Sequence, residues 1–153
     1  SEEYELTSHS AIIVLSPRSF FVLSQAVAEE IMIECVSCHE DIGLLGTKCV
    51  LNNRYKNPKS GKAQVVIGRS STCDIVVPDH ETTAKVSKEH CQFIRQRDGW
   101  ALLDMSENGT YFYSLCVKHC LSNENPGLYL FPGLVFHLGE ASANRLSFQV
   151  RTK

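Results

Sequence analysis

The sequence predicts an all-β domain, a sandwich or a barrel, and three observations carry that prediction. Short runs rich in β-branched and aromatic residues recur at near-regular spacing after residue 42. Turn segments rich in Gly, Asn, Asp and Pro separate them. No helical period intervenes between the runs, as a parallel βαβ architecture would require.

Taken in order, the elements begin ambiguously. Residues 17–32 suit a helix, with Ser16 as its cap and Pro17 at its first position, yet Ile31-Met32-Ile33-Glu34-Cys35-Val36 alternates as a strand does. Residues 1–41 are therefore expected to form an N-terminal extension, either helix or extra strand, that packs on the domain or on a second copy. Residues 42–153 form the domain proper. Strands are expected at 44–51, 63–68, 74–77, 91–95, 100–104, 110–113, 115–118, 128–131, 134–138 and 145–150. The separators are 52–61, 97–99, 107–109, 122–127 and 139–144, each dense in turn-forming residues.

Composition bounds the function. The chain of 153 residues carries a net charge of −2 with 21% charged residues, which leaves no basic field for direct nucleic-acid binding. Apolar stretches near the start are broken at Ser16-Pro17-Arg18, short of a membrane span, and the acidic first residues do not resemble a signal peptide. Seven cysteines, an odd number partly within apolar runs, fit reduced thiols and a nuclear or cytoplasmic location. No cofactor is expected. Cys35-Val36-Ser37-Cys38-His39 matches a short haem-attachment pattern with a high chance rate. A zinc set of Cys35, Cys38, His39 and Cys49 has suitable chemistry but irregular spacing, so buried free thiols are the leading account. Asn108-Gly109-Thr110 is formally a glycosylation sequon, and no secretory signal accompanies it.

Three turn segments carry groups suited to an anion. Gly68 ends an apolar run and lets the chain turn, so that Arg69 leaves the sheet edge with a planar fork of donors matched to phosphate oxygens. Ser87 adds a hydroxyl and Lys88 a second cation, while His90 beside the apolar Cys91 suits a structural imidazole. Asn108-Gly109 is a hairpin signal in its own right, because both residues tolerate positive φ. Each segment alone has an ordinary explanation as a surface turn. Nucleophilic catalysis through Ser87 and His90 lacks an orienting acid and an oxyanion loop, so no enzyme is expected.

In combination the order strand-Gly68-Arg69, Ser87-x-x-His90-strand and Asn108-Gly109-Thr110 resembles the forkhead-associated (FHA) domain, a phosphothreonine-binding β-sandwich. The resemblance runs from about Leu44 to Val150. The second strand at Cys73 to Val77 and the closing hairpin of Phe136 to Gly139 with Leu146 to Val150 support it. It implies that Arg69, Ser87, Lys88 and Asn108 bind the phosphothreonine, with Asn108 holding the peptide main chain. Gly68, His90 and Gly109 would support loop shape, and Lys85 would bear on specificity. Glu107 departs from the Ser or Thr common at its place, and its carboxylate would repel a dianionic phosphate unless Lys85 or Lys88 neutralises it. The implied function is phosphorylation-dependent protein–protein interaction in a larger signalling or DNA-damage-response protein. The alternative is a phospho-independent scaffold that dimerises or assembles through the N-terminal extension.

Overall fold

A computed structural model of the chain describes residues 4–7, 12–15, 20–23, 30–97, 99–114, 116–122, 126–139 and 145–152. Fourteen strands run through them: β1 (Tyr4–Thr7), β2 (Ile12–Leu15), β3 (Phe20–Leu23), β4 (Ile31–Ser37), β5 (Lys48–Leu51), β6 (Gln64–Gly68), β7 (Ile75–Val76), β8 (Cys91–Gln96), β9 (Gly99–Asp104), β10 (Thr110–Ser114), β11 (Val117–Leu121), β12 (Gly127–Tyr129), β13 (Val135–Leu138) and β14 (Ser147–Thr152). They form an eight-stranded sheet, ordered β1-β2-β3-β12-β9-β8-β6-β7, and a six-stranded sheet, ordered β11-β10-β13-β14-β4-β5. Pairing is antiparallel except at β3–β12 and β6–β7. Among the described residues the helical content is two single 3-10 turns, Glu40–Ile42 and Glu81–Thr83, and no helix is long and apolar enough to cross a membrane.

Alternation explains the core. Ile31, Ile33 and Cys35 on β4, Val65 and Ile67 on β6, and Cys91 and Phe93 on β8 are buried at every second position, with less buried residues between them. Phe93 of the larger sheet meets Phe136 of the smaller edge to face at 5.9 Å, and Phe136 stacks on Phe148 at 5.6 Å. Such aromatic pairs add roughly 0.5–1.5 kcal/mol each beyond the area they bury.

The helix expected across residues 17–32 is replaced, where it is described, by strand: Phe20–Leu23 is β3, and Ile31 and Met32 open β4. Residues 16–19 and 24–29 lie outside the described residues. The composition change at residue 42 falls inside the smaller sheet, because β4 pairs with both β14 and β5. On the other sheet β3 joins β12 in parallel, so that β1 to β3 continue that sheet beyond β12.

Two local corrections have physical causes. The strand expected at 44–51 begins only at Lys48, because a turn at 45–46 with Gly46 at φ +86° occupies its first half. Asn108-Gly109 is not a hairpin turn. β9 and β10 belong to different sheets, and only Gly109, at φ +90°, has positive φ, so the segment is a crossover from one sheet to the other.

Candidate functional site

The three sequence segments meet at one end of the sandwich, joined mainly through backbone. After β6, the Arg69 N–H donates to the Ser87 carbonyl (3.1 Å) and the Ser70 N–H to the Lys88 carbonyl (3.0 Å). From the third segment, the Glu107 N–H donates to Ser87 Oγ (3.1 Å), and Asn108 Nδ2 donates to the Lys85 carbonyl (3.2 Å). Arg69, Ser87, Lys88, Lys85, Glu107 and Asn108 are thus neighbours, although Arg69 and Asn108 are 39 positions apart in the chain.

His90 is the joint between the second and third segments. It is fully buried, its Nδ1 accepts the Ser87 N–H (3.0 Å), and its Nε2 bonds the Gly109 carbonyl (2.9 Å), which assigns the ring proton to Nε2. The Gly109 carbonyl also accepts the Gly139 N–H (3.0 Å), so both of its lone pairs are used. With both ring nitrogens bound to backbone groups, and Ser87 meeting the ring by its amide, no Ser–His nucleophile exists here.

Burial holds the His90 imidazole below its ordinary value of 6.5, against the upward pull of the Gly109 carbonyl and the Asp104 charge. Burial lowers His119 and His137 as well. In each case the unfolded chain takes up a proton before the folded one does. Their contribution is therefore complete above about pH 6.5 and is lost as pH falls through the folded-state values. Urea unfolding at pH 7.5 and 5.0 is expected to show lower stability in acid, by up to about 1.4 kcal/mol per pH unit for each proton taken up. Equal or greater stability at pH 5.0 would contradict this. Protonation of Nδ1 would also turn one N–H against the Ser87 N–H and loosen the joint.

Three residues that the sequence reading missed shape the site. Asp104 Oδ1 accepts from the hydroxyls of Ser106 (2.6 Å) and Thr110 (2.8 Å), and Ser106 Oγ in turn accepts the Gly109 N–H (2.8 Å). This chain of bonds sets the 105–109 loop, and the only local signal for it is the Asp-x-Ser spacing typical of side-chain-capped turns. The third residue is Asp79, whose carboxylate pairs with the Arg69 guanidinium at 3.0 Å while Arg69 Nε donates to the Val86 carbonyl.

The Arg69 fork is thus oriented before any ligand arrives, and a carboxylate already stands at one of its donors. Asp79 is 83% exposed and Arg69 29%, so their attraction is weak in water and replaceable. Asp79→Asn is expected to tighten binding of a dianionic ligand by roughly two- to fivefold, since a competing negative charge is removed. Isothermal titration with and without the substitution checks this, and a loss of affinity would make Asp79 an ally of the ligand.

Gly68 has a different role from the one its sequence context suggests. Its φ is not positive; what it provides is close approach, because a Cβ there would lie 2.0 Å from the Lys88 carbonyl oxygen. At Gly139, φ is +70° and a Cβ would stand 2.9 Å from the Lys85 carbonyl oxygen. The cysteine set considered for zinc does not converge, and His39 instead faces Asp41 and His80. Burial pushes the Cys35 thiol up to about 12, helped by Cys38, and Cys49 up to about 11. Both fit structural thiols.

Two packed sheets with a cluster of cationic and amide-bearing loops at one end define a β-sandwich of the FHA type. The FHA domain family model matches residues 65–138, which span β6 to β13 and all three segments. Among solved structures, the FHA domain of an Arabidopsis thaliana hypothetical protein is 22% identical with a TM-score of 0.55, covering 84% of this chain and 90% of that one. The N-terminal FHA domain of S. cerevisiae Rad53p, solved with a phosphothreonine peptide, is 19% identical with a TM-score of 0.53, covering 80% and 93%. An engineered FHA domain with a Myc-pTBD peptide is 18% identical with a TM-score of 0.54, covering 84% and 94%. At these identities the likeness is one of fold. No curated protein matches the chain.

Proposed function

We propose that the chain is a phosphothreonine-peptide-binding module that acts through phosphorylation-dependent protein–protein interaction and performs no chemistry on its ligand. The observation that carries this reading is the convergence of Arg69, Ser87 and Asn108, Arg69 held by Val86 and Asp79 and the other two by one side-chain hydrogen bond each, all with donor capacity left over. Ser87 Oγ accepts from Glu107 and keeps its O–H to donate. Asn108 spends one amide N–H on Lys85 and keeps the other together with its carbonyl oxygen. A phosphate carrying nearly two charges would take Arg69, the Ser87 hydroxyl and the exposed Lys88, and Asn108 would hold the peptide main chain beside it. A cleft of about 210 Å³ bordered by Glu107, Asn108, Tyr111 and Cys120 offers room for a flanking side chain. Lys85, also exposed, would favour an acidic neighbour, and Glu107 would disfavour one.

An oriented phosphothreonine peptide library on the full chain tests the reading, with each selected peptide also titrated without its phosphate. Selection of phosphorylated peptides, and loss of binding without the phosphate, is the expected result. Equal affinity for both forms would leave only the phospho-independent scaffold. A larger signalling protein and a nuclear or cytoplasmic setting are the context this function suits.

A further inference from the structure

Two segments about forty positions apart in the chain meet: residues 39–42, just after β4, and residues 80–83 in the β7–β8 loop. His39 and His80 each cap a 3-10 turn, and in each the ring Nδ1 accepts the amide two residues on, from Asp41 (3.1 Å) and Thr82 (3.1 Å). The two rings lie 4.8 Å apart. A single Asp41 oxygen, Oδ2, stands 3.2 Å from His80 Nε2 and 3.6 Å from His39 Nδ1, and one ligating atom from each residue falls within 4.8 Å of the others.

We propose that His39, Asp41 and His80 form a binding site for one divalent transition-metal cation of the zinc class. Donors at roughly 2.0–2.1 Å from a tetrahedral centre are about 3.4 Å from one another, and the two Asp41 separations bracket that value. Two imidazoles with one carboxylate suit zinc and its neighbours, whereas magnesium and calcium ask for an all-oxygen shell. Three protein ligands leave a fourth position for water or for a donor from a partner.

The surroundings accommodate the change of state that ligation demands. When His80 Nε2 takes the metal, its ring proton moves to Nδ1, where Thr82 Oγ1 stands 2.9 Å away to accept it while the Thr82 N–H, which Nδ1 had accepted, is released. The Asp41 amide released from His39 Nδ1 is exposed and turns to water. Because Asp79 and His80 are adjacent, and Lys85, Ser87 and Lys88 follow on the same loop, the ion would pin the segment that carries half of the phosphate site to the end of β4.

Equilibrium dialysis of the full chain with Zn²⁺, paired with Co²⁺ absorption and with melting in Zn²⁺ or EDTA, tests this. One equivalent of Zn²⁺ per chain is expected, with a rise in Tm of roughly 5–10 °C at a hundredfold excess over Kd. Asp41→Asn and His80→Ala should each cost more than the roughly 10–100-fold that loss of an outer-shell partner costs, and Thr82→Val should fall within that range. Asp41 is exposed, so Asp41→Asn should keep its melting curve in EDTA and decides the matter if His80→Ala unfolds. Absence of stoichiometric binding would overturn the proposal. So would Zn²⁺ binding that Asp41→Asn leaves unchanged, which would point to the cysteines, or an equal response to Mg²⁺.

Discussion

Arg69→Ala should abolish measurable binding of a phosphothreonine peptide while leaving a folded protein. Charge-assisted hydrogen bonds contribute about 1.5–3 kcal/mol each, and a fork that makes two of them to phosphate accounts for roughly a hundredfold or more in affinity. The cost to the fold is small by comparison. In the free protein Arg69 holds an exposed carboxylate, a pairing whose strength is near the surface median, and one backbone carbonyl, that of Val86. Arg69→Lys should fall between the two, since it restores the charge without the planar pair of donors. Circular dichroism and peptide titration on the same samples separate folding from binding. Full affinity in a folded Arg69→Ala protein would remove Arg69 from the site.

Gly68→Ala should be the more damaging to the fold. The added methyl would lie 2.0 Å from the Lys88 carbonyl oxygen, 2.6 Å from its carbon and 2.9 Å from Glu89 Cα, all backbone atoms without a rotamer to turn aside. Relief requires lifting the 87–90 segment off β6. That would strain the bonds from Arg69 N–H to Ser87, from Ser70 N–H to Lys88 and from His90 N–H to Ile67, which are 3.1, 3.0 and 2.8 Å long. Overpacking with three weakened bonds amounts to about 4 kcal/mol, a large share of a typical domain's 5–15 kcal/mol. A Tm lower by roughly 8–16 °C is expected, with peptide binding lost together with the loop. An unchanged melting temperature would mean that the approach is looser than these distances state.

Gly68 also shows how far the sequence could be read. Its identity and place before Arg69 were legible, but the reason for it was not. A glycine after a strand reads as a turn residue, whereas here Gly68 is still the last residue of β6, without positive φ, and the constraint on it comes from a segment twenty residues further on. Asn108-Gly109 behaves alike: as a dipeptide it is a hairpin signal, and only the assignment of β9 and β10 to different sheets makes it a crossover. Strands β6, β8, β9, β13 and β14 were legible because they lie inside the sheets and carry long apolar or alternating runs. The break between β10 and β11 was expected at Ser114, whereas Ser114 still belongs to β10 and pairs with Val117, and Cys116 takes φ +61° with no Gly or Asn to announce it.

The candidate site divides the same way. Arg69, Ser87, Lys88 and Asn108 stood out because their chemistry suits an anion and their order resembles a known pattern. Asp79, Asp104, Ser106 and Gly139 carried no such mark, and each acts through a partner that only folding supplies. The meeting of His39 and Asp41 with His80 is of this kind too.

By itself the sequence determined the all-β class, the order of the main strands and the turn residues whose donors suit an anion, because alternation and turn chemistry are local and act over a few residues. Only the tertiary structure decided that β4 completes the smaller sheet, that Asp79 occupies the Arg69 fork, and that His90 ties two loops through its two ring nitrogens. Those outcomes depend on contacts between segments tens of residues apart. Their register follows from how two sheets pack, which no short stretch of chain encodes.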